Sequence, residues 1–177
     1  MVAVSLFTGG SALAQTPPPA SEVVAAALAR ARAERKAVLI EFGASWCTWC
    51  RNFEAFVKSE DAGPVLARHF VIVNLTVRER DDKKKLEHAG GSALMDQWGG
   101  AKSGLPFYVF LDRTGRKVAD SNAMPDGTNI GFPAVPDEIR AFMTLIDKAA
   151  PGLMSANLDV LESYLLRVMP PPAPAPR

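Results

Sequence analysis

Short apolar runs alternate with helical patterns along most of this chain. Three runs rich in β-branched and aromatic residues, 37–43, 70–77 and 105–111, predict strands. The first of them is almost wholly apolar, which is typical of a strand buried on both faces. Turn residues at 112–115 and a short run at 116–119 predict the second arm of a hairpin after the third strand.

Apolar residues spaced three and four apart predict helices around these strands. The predicted helices cover 21–36, a segment that begins near residue 47, 61–69, a segment around 139–146 and a segment around 158–168. Glycine pairs break residues 78–103 into shorter helical pieces. Strands separated by helices pair in parallel, and the hairpin adds an antiparallel strand, so the order predicts an α/β fold with a mixed central sheet flanked by helices.

A length of 177 residues allows one domain with two tails. Residues 1–20 combine an apolar stretch, a small-x-small pattern at 12–14 and a proline-rich spacer, which predicts a signal peptide and a periplasmic or secreted protein. The apolar stretch lacks the basic region of a typical signal peptide. If it is not a signal peptide, we expect a cytoplasmic protein. We assign 21–169 to the domain and 170–177 to a disordered proline-rich tail.

Charge excludes several classes of partner. The chain has 20 basic and 19 acidic residues, and this balance creates no field that would gather nucleic acid or anionic lipid. The mixed run Arg78–Lys85 predicts a solvated loop or helix start.

Metal and phosphate sites have no support in the sequence either. His69 and His88 have no metal-ligand spacing, and the glycine pairs lack the lysine of a phosphate loop. We therefore expect no metal, no nucleic acid partner and no membrane span in the mature chain.

The chain has two cysteines, in the sequence Cys47-Thr48-Trp49-Cys50, directly after a predicted strand and at the start of a helix. Unpaired backbone N–H groups and the helix dipole favour a thiolate at the first cysteine. The second lies one turn further on the same face and can attack a mixed disulfide formed at the first. This predicts a redox pair with an exposed attacking sulfur at Cys47 and a resolving one at Cys50. The alternatives are two small buried residues or a permanent structural disulfide.

Two segments resemble the thioredoxin superfamily. Residues 38–50, VLIEFGASWCTWC, are similar to its active-site segment, and Gly-Leu-Pro at 104–106 is similar to its cis-proline loop. The resemblance covers about residues 21–149 and is closest to the secreted single-domain branch. It implies a thioredoxin fold with an N-terminal helix, a helical insertion before the proline and an extra C-terminal helix.

The resemblance also implies roles for individual residues. Glu41 matches a buried carboxylate that moves a proton to or from Cys50. Pro106 matches the cis-proline, and Leu105 would offer backbone hydrogen bonds to a substrate strand. Trp46 matches a flat apolar contact for an extended substrate.

Two single positions and one dipeptide depart from the family pattern. Gly43 stands where the family has a tryptophan, and Asn74 stands where it has a lysine that would tune the buried carboxylate. The dipeptide Thr48-Trp49 lacks both the histidine of strongly oxidising relatives and the proline of general reductants. It argues against a strong oxidant and leaves the direction of electron flow open.

The leading hypothesis is an exported thiol–disulfide oxidoreductase that acts on protein disulfides and needs no cofactor beyond its cysteines. The family implies an upstream redox partner. The alternative is a non-catalytic thioredoxin-like peptide-binding module, in which Trp46, Trp49 and Leu105 grip a client and the cysteines staple the loop.

A third hypothesis is a metal or copper chaperone. It would need a further soft ligand near the cysteines. By residue type the candidates are Met95, Met124 and His88.

Overall fold

The structure is a computed structural model that describes residues 16–169. The predicted signal peptide falls mostly on residues 1–15, and these lie outside the described residues, as does the predicted tail at 170–177. Residues 16–19 precede the first helix without regular secondary structure.

Four strands form one mixed sheet. They are β1 (Ala37–Gly43), β2 (Phe70–Thr76), β3 (Phe107–Leu111) and β4 (Lys117–Asp120). The spatial order is β2-β1-β3-β4, with β1 and β2 parallel and the other two pairs antiparallel. The predicted mixed sheet is confirmed. Its register places Glu41 of β1 opposite Asn74 on one side and Tyr108 on the other.

Helices cover both faces of the sheet. They are α1 (Ala20–Glu34), α2 (Thr48–Lys58), α3 (Ala62–His69), α4 (Gly91–Met95), α5 (Pro136–Ala149) and α6 (Ser155–Val168). A 3-10 helix at Asp81–Leu86 and a π-helical turn at Asp96–Gly100 complete the insertion before β3. No helix among residues 16–169 is long and apolar enough to cross a membrane.

No side chain caps the start of α1, although Ser21 lies in its first turn. The helix begins at Ala20, and its N-cap residue Pro19 makes no side-chain hydrogen bond. Instead, the carbonyl of Pro19 accepts hydrogen bonds from Glu22 N and Val23 N, and Ala20 N donates to Ala89 O. Backbone groups thus satisfy the first turn without Ser21.

Alternate residues of β1 enter two separate cores. Leu39 packs with an aromatic cluster on the side of α2, α5 and α6, whereas Val38, Ile40 and Phe42 pack towards α1. Each fully buried apolar side chain of this size contributes about 1.5–3 kcal/mol. The two-sided burial explains the apolar run, and it places Glu41 on the same face as Leu39, towards α2.

Candidate active site

The cysteine pair lies where β1 ends and α2 begins. Cys47 is the N-cap of α2, and its Sγ accepts a 3.1 Å hydrogen bond from Cys50 N. The two sulfurs are joined in a disulfide. The first N–H groups of a helix lack intrahelical partners. One of them can therefore donate a hydrogen bond to the sulfur of the N-cap residue when that sulfur carries negative charge. The strand, turn and helix that the sequence predicts around the pair are confirmed.

The predicted exposure of the Cys47 sulfur is wrong for the oxidised pair. Cys47 is 4% exposed and Cys50 6%, because the disulfide turns the sulfurs towards each other and Leu105 packs against them. The pair nevertheless lies near the surface, in a small cluster separate from the two cores. The adjacent Trp46 and Trp49 are 43% and 46% exposed, so apolar surface flanks the pair.

The turn before the pair is held by a buried carboxylate. Glu79 is 3% exposed and accepts hydrogen bonds from Ser45 N at 2.6 Å and from Ser45 Oγ at 2.9 Å. Trp46 Nε1 donates to Arg78 O at 2.9 Å. The prediction that Arg78–Lys85 is a solvated loop or helix start is therefore wrong at Glu79, which is buried because its carboxylate bonds to the active-site turn.

Glu41 lies buried beneath the pair, with 3% of its surface exposed. The pKa of its carboxyl group is raised to about 7, mainly by burial; a hydrogen bond from Asn74 lowers the pKa, and the nearby charge of Glu54 adds a smaller increase. That bond joins Asn74 Nδ2 to Glu41 Oε2 at 2.7 Å. Glu41 Oε1 has no hydrogen-bond partner among the described residues.

Gly43 leaves space between this carboxyl group and Cys50. A Cβ at position 43 would lie 3.2 Å from Glu41 Oε1 and 3.4 Å from Cys50 Sγ. A cleft of about 790 Å³ is lined by these three residues and by Asn74. Glu41 and Cys50 thus line the same cleft, with the side chain of neither blocked from the other by a larger residue at position 43.

The predicted proline loop lies on the other side of the pair. The Leu105–Pro106 peptide bond is cis, Pro106 is buried, and Leu105 contacts the disulfide cluster. We define residues 99–106 as the cis-proline segment. The Arg78 guanidinium donates to three of its carbonyls. These belong to Gly100, Ala101 and Ser103.

A groove of about 950 Å³ runs beside the pair and the cis-proline segment. Trp49 and Phe132 form one side of it, with ring centroids 6.2 Å apart and planes inclined by 17°. Leu105 contributes to its lining. The arrangement brings Trp49 and Leu105 to one surface, next to Cys47 and Cys50.

One candidate ligand of the chaperone hypothesis lies in a different part of the fold from the cysteine pair. Met95 is fully buried in the core on the α1 side. Among residues 16–169, no group of three or more His, Cys, Asp or Glu side chains could hold a metal ion.

The sequence predicts that the cysteines, Glu41 and the proline loop form one site. It does not predict that Arg78 and Glu79 support that site. Both belong to a charged run with no periodicity, and their partners lie more than twenty residues away along the chain. A single sequence carries no signal for such contacts.

Comparison with known proteins gives one family and several similar folds. The model of a family described as thioredoxin-like matches residues 20–113, and no curated protein matches the chain. A disulphide isomerase from Xylella fastidiosa Temecula1 is similar over 93% of this chain and 98% of its own, with 18% identity and a TM-score of 0.49. A protein described as DsbH oxidoreductase has 20% identity, coverages of 81% and 96%, and a TM-score of 0.45. A thioredoxin from Thermus thermophilus has 22% identity, coverages of 58% and 71%, and a TM-score of 0.41.

Proposed function

The chain belongs to the thioredoxin-like family, and from that premise we propose that it is a thiol–disulfide oxidoreductase that exchanges disulfides with protein substrates. The observation that carries the proposal is the Cys47–Cys50 disulfide at the start of α2, where Cys50 N donates to Cys47 Sγ. The same donor would stabilise a thiolate after reduction of the pair, and a thiolate is the nucleophile of disulfide exchange.

The exchange proceeds in two steps from the reduced pair. The Cys47 thiolate attacks one sulfur of a substrate disulfide, a bond between Cys47 and the substrate forms, and the other substrate sulfur leaves as a thiolate. The Cys50 thiolate then attacks Cys47 Sγ, which closes the disulfide of the chain and releases the second substrate sulfur. The substrate gains two electrons and the pair loses two. The reverse sequence oxidises a substrate dithiol.

Glu41 supports the second step by taking the proton of the Cys50 thiol. A pKa near 7 lets the carboxyl group exchange protons at neutral pH, and Oε1 is free to accept. Both groups line the cleft of about 790 Å³, in which a water molecule would connect them. Proton transfer by this carboxyl group is therefore compatible with the absence of a lysine at Asn74.

Trp46, Trp49, Leu105 and Pro106 form the proposed substrate surface. The two indoles supply exposed apolar area beside the sulfurs. The backbone of Leu105 lies next to the pair, where an extended polypeptide can hydrogen-bond to it in the manner of an added strand. A surface built from backbone and flat rings accepts varied sequences.

The remaining parts of the proposal follow from the sequence. The domain spans 21–169, residues 1–20 direct it to the periplasm or the cell exterior, and 170–177 form a tail. The reaction uses the cysteines alone, without a cofactor. A redox partner outside this chain restores the pair after each turnover.

Reduction of insulin disulfides by the purified full chain, with dithiothreitol as electron donor, tests the proposal. We expect Cys47→Ser to abolish turnover, and Cys50→Ser to retain the first attack and accumulate a mixed disulfide with the substrate. Cys50→Ser is the matched control, since it also prevents the intramolecular disulfide but keeps the nucleophile. An inert wild-type protein would support the non-catalytic peptide-binding module instead.

A further inference from the structure

The loop between β4 and α5 carries two asparagines that bond to the cis-proline segment, as Arg78 does. Asn122 Nδ2 donates to Gly99 O at 2.9 Å, and its Oδ1 accepts a bond from Ser103 Oγ at 2.7 Å. Asn129 acts closer to the proline. Together with Arg78, these side chains bond to most carbonyls of the segment.

Asn129 holds the carbonyl groups of the two residues on either side of Leu105, the residue before the cis-proline. Its Nδ2 donates to Gly104 O at 3.0 Å and to Pro106 O at 3.1 Å, and its Oδ1 accepts from Gly131 N at 3.2 Å. Both hydrogens of the side-chain amide are therefore used on the segment. None of these bonds involves the backbone of Leu105, which stays available between two fixed neighbours.

The asparagine is itself fixed to the sheet. Ile130 N donates to Ser121 O at 2.8 Å, and Ser121 N donates to Tyr108 O at 2.9 Å. Ser121 is fully buried, and its Oγ accepts from Tyr108 N at 3.0 Å. Asn129 thus connects a rigid part of β3 to the segment that faces the disulfide.

We propose that Asn129 is a positioning residue that holds the Leu105 backbone in the orientation in which it binds an extended substrate polypeptide. The inference rests on the proposed function. Main-chain hydrogen bonds to a substrate form only when the protein groups already point outward, and a loop that must order itself on binding weakens the complex. Asn129 removes this cost, because it fixes the carbonyl groups of Gly104 and Pro106, one on each side of Leu105.

The proposal separates substrate binding from sulfur chemistry. We expect Asn129→Ala to lower kcat/KM for insulin about tenfold, mainly through KM, since two hydrogen bonds to the loop are lost. The rate with 2-hydroxyethyl disulfide, which is too small to lie along Leu105, stays within about twofold of wild type. Asn129→Asp should behave like Asn129→Ala, because it keeps the size and the Gly131 contact but loses both donated bonds.

Asn122→Ala is the comparison variant. It removes contacts from the same loop to the same segment, but at residues farther from Leu105, and we expect a smaller rise in KM than for Asn129→Ala. Thermal unfolding shows whether each variant is folded. If Asn129→Ala does not fold, the same kinetic comparison is made with Asn129→Asp.

Equal losses with insulin and with the small disulfide would overturn the proposal, since they would show a general effect on Cys47. An unchanged KM for insulin in both Asn129 variants would also overturn it. If the proposed function itself is wrong, the wild-type protein will reduce neither substrate. That result differs from both outcomes above, in which the wild-type protein is active.

Discussion

Asn74 and Glu41 lie opposite each other in the parallel β1–β2 pair and are joined by a 2.7 Å hydrogen bond from Asn74 Nδ2 to Glu41 Oε2. The bond gives one carboxyl oxygen a neutral donor, while burial still raises the pKa of Glu41 to about 7. An uncharged neighbour therefore leaves the carboxyl group poised to gain or lose a proton near neutral pH.

The raised pKa of Glu41 predicts a loss of stability as the pH rises. The folded protein binds this proton more tightly than the unfolded chain does, because the pKa is about 7 in the fold and 4.5 in the reference state. The contribution to the free energy of unfolding is full below pH 4.5, declines as the pH rises through 7, and is lost above it. The total loss is about 3 kcal/mol. Urea unfolding of the oxidised protein between pH 4.5 and 8 measures it.

Glu41→Gln is the control for that decline. The amide has nearly the same shape and does not titrate, so the difference between the wild-type and Glu41→Gln curves isolates this group. Parallel curves across the whole range would show that Glu41 ionises in the fold as it does in the unfolded chain.

Substitutions of Asn74 should move the pKa of Glu41 in opposite directions. Asn74→Lys places an ammonium group beside the carboxylate and lowers the pKa by about one unit or more. Asn74→Leu removes the hydrogen bond and raises the pKa above its value in the wild-type protein. The midpoint of the pH-dependent stability change, or the carboxyl carbon shift in NMR, reports both. A shift of the same sign in both variants would contradict the assigned role of the bond.

Local patterns account for what the sequence predicts well. The apolar run of β1, the amphipathic α5 and the cysteines at the start of α2 are set by residues close together in the chain, and they appear where expected. The burial of Glu41 was also predictable, because its neighbours along the strand are apolar or small and make an exposed charge there unlikely.

Contacts between distant, polar loop residues account for the rest. Glu79 is separated from Ser45 by 34 positions, and Asn129 from Gly104 by 25. Neither side chain belongs to a periodic segment, so hydrophobic patterns do not indicate which way it points. The low exposure of Cys47 likewise depends on Leu105, which is distant in the sequence and packs against the pair.

Removal of the Glu79 carboxylate should loosen the turn before the cysteines. Glu79→Ala leaves Ser45 N without its partner and should lower the free energy of unfolding of the oxidised protein by about 2–3 kcal/mol. Ser45→Ala loses the hydroxyl bond alone and should cost about 1 kcal/mol. Urea unfolding gives both values, and Glu60→Ala, on the exposed surface, is the control. A Glu79→Ala protein as stable as the control would show that the turn holds without the carboxylate.

The cis-proline segment also depends on a glycine that packs against the core. A Cβ on Gly100 would lie 2.6 Å from Met95 Cγ and 2.8 Å from a ring carbon of Phe107, and both side chains are fully buried. Gly100→Ala must therefore displace the segment or the core, and overpacking of this kind costs about 1–3 kcal/mol. Gly104→Ala is the matched control, since a Cβ there meets nothing within 4 Å. Thermal unfolding of the oxidised proteins should show a clearly lower Tm for Gly100→Ala than for Gly104→Ala. Equal Tm values would mean that Met95 and Phe107 repack around an added methyl group at no cost, and that the close contact of residue 100 with the core does not fix the segment.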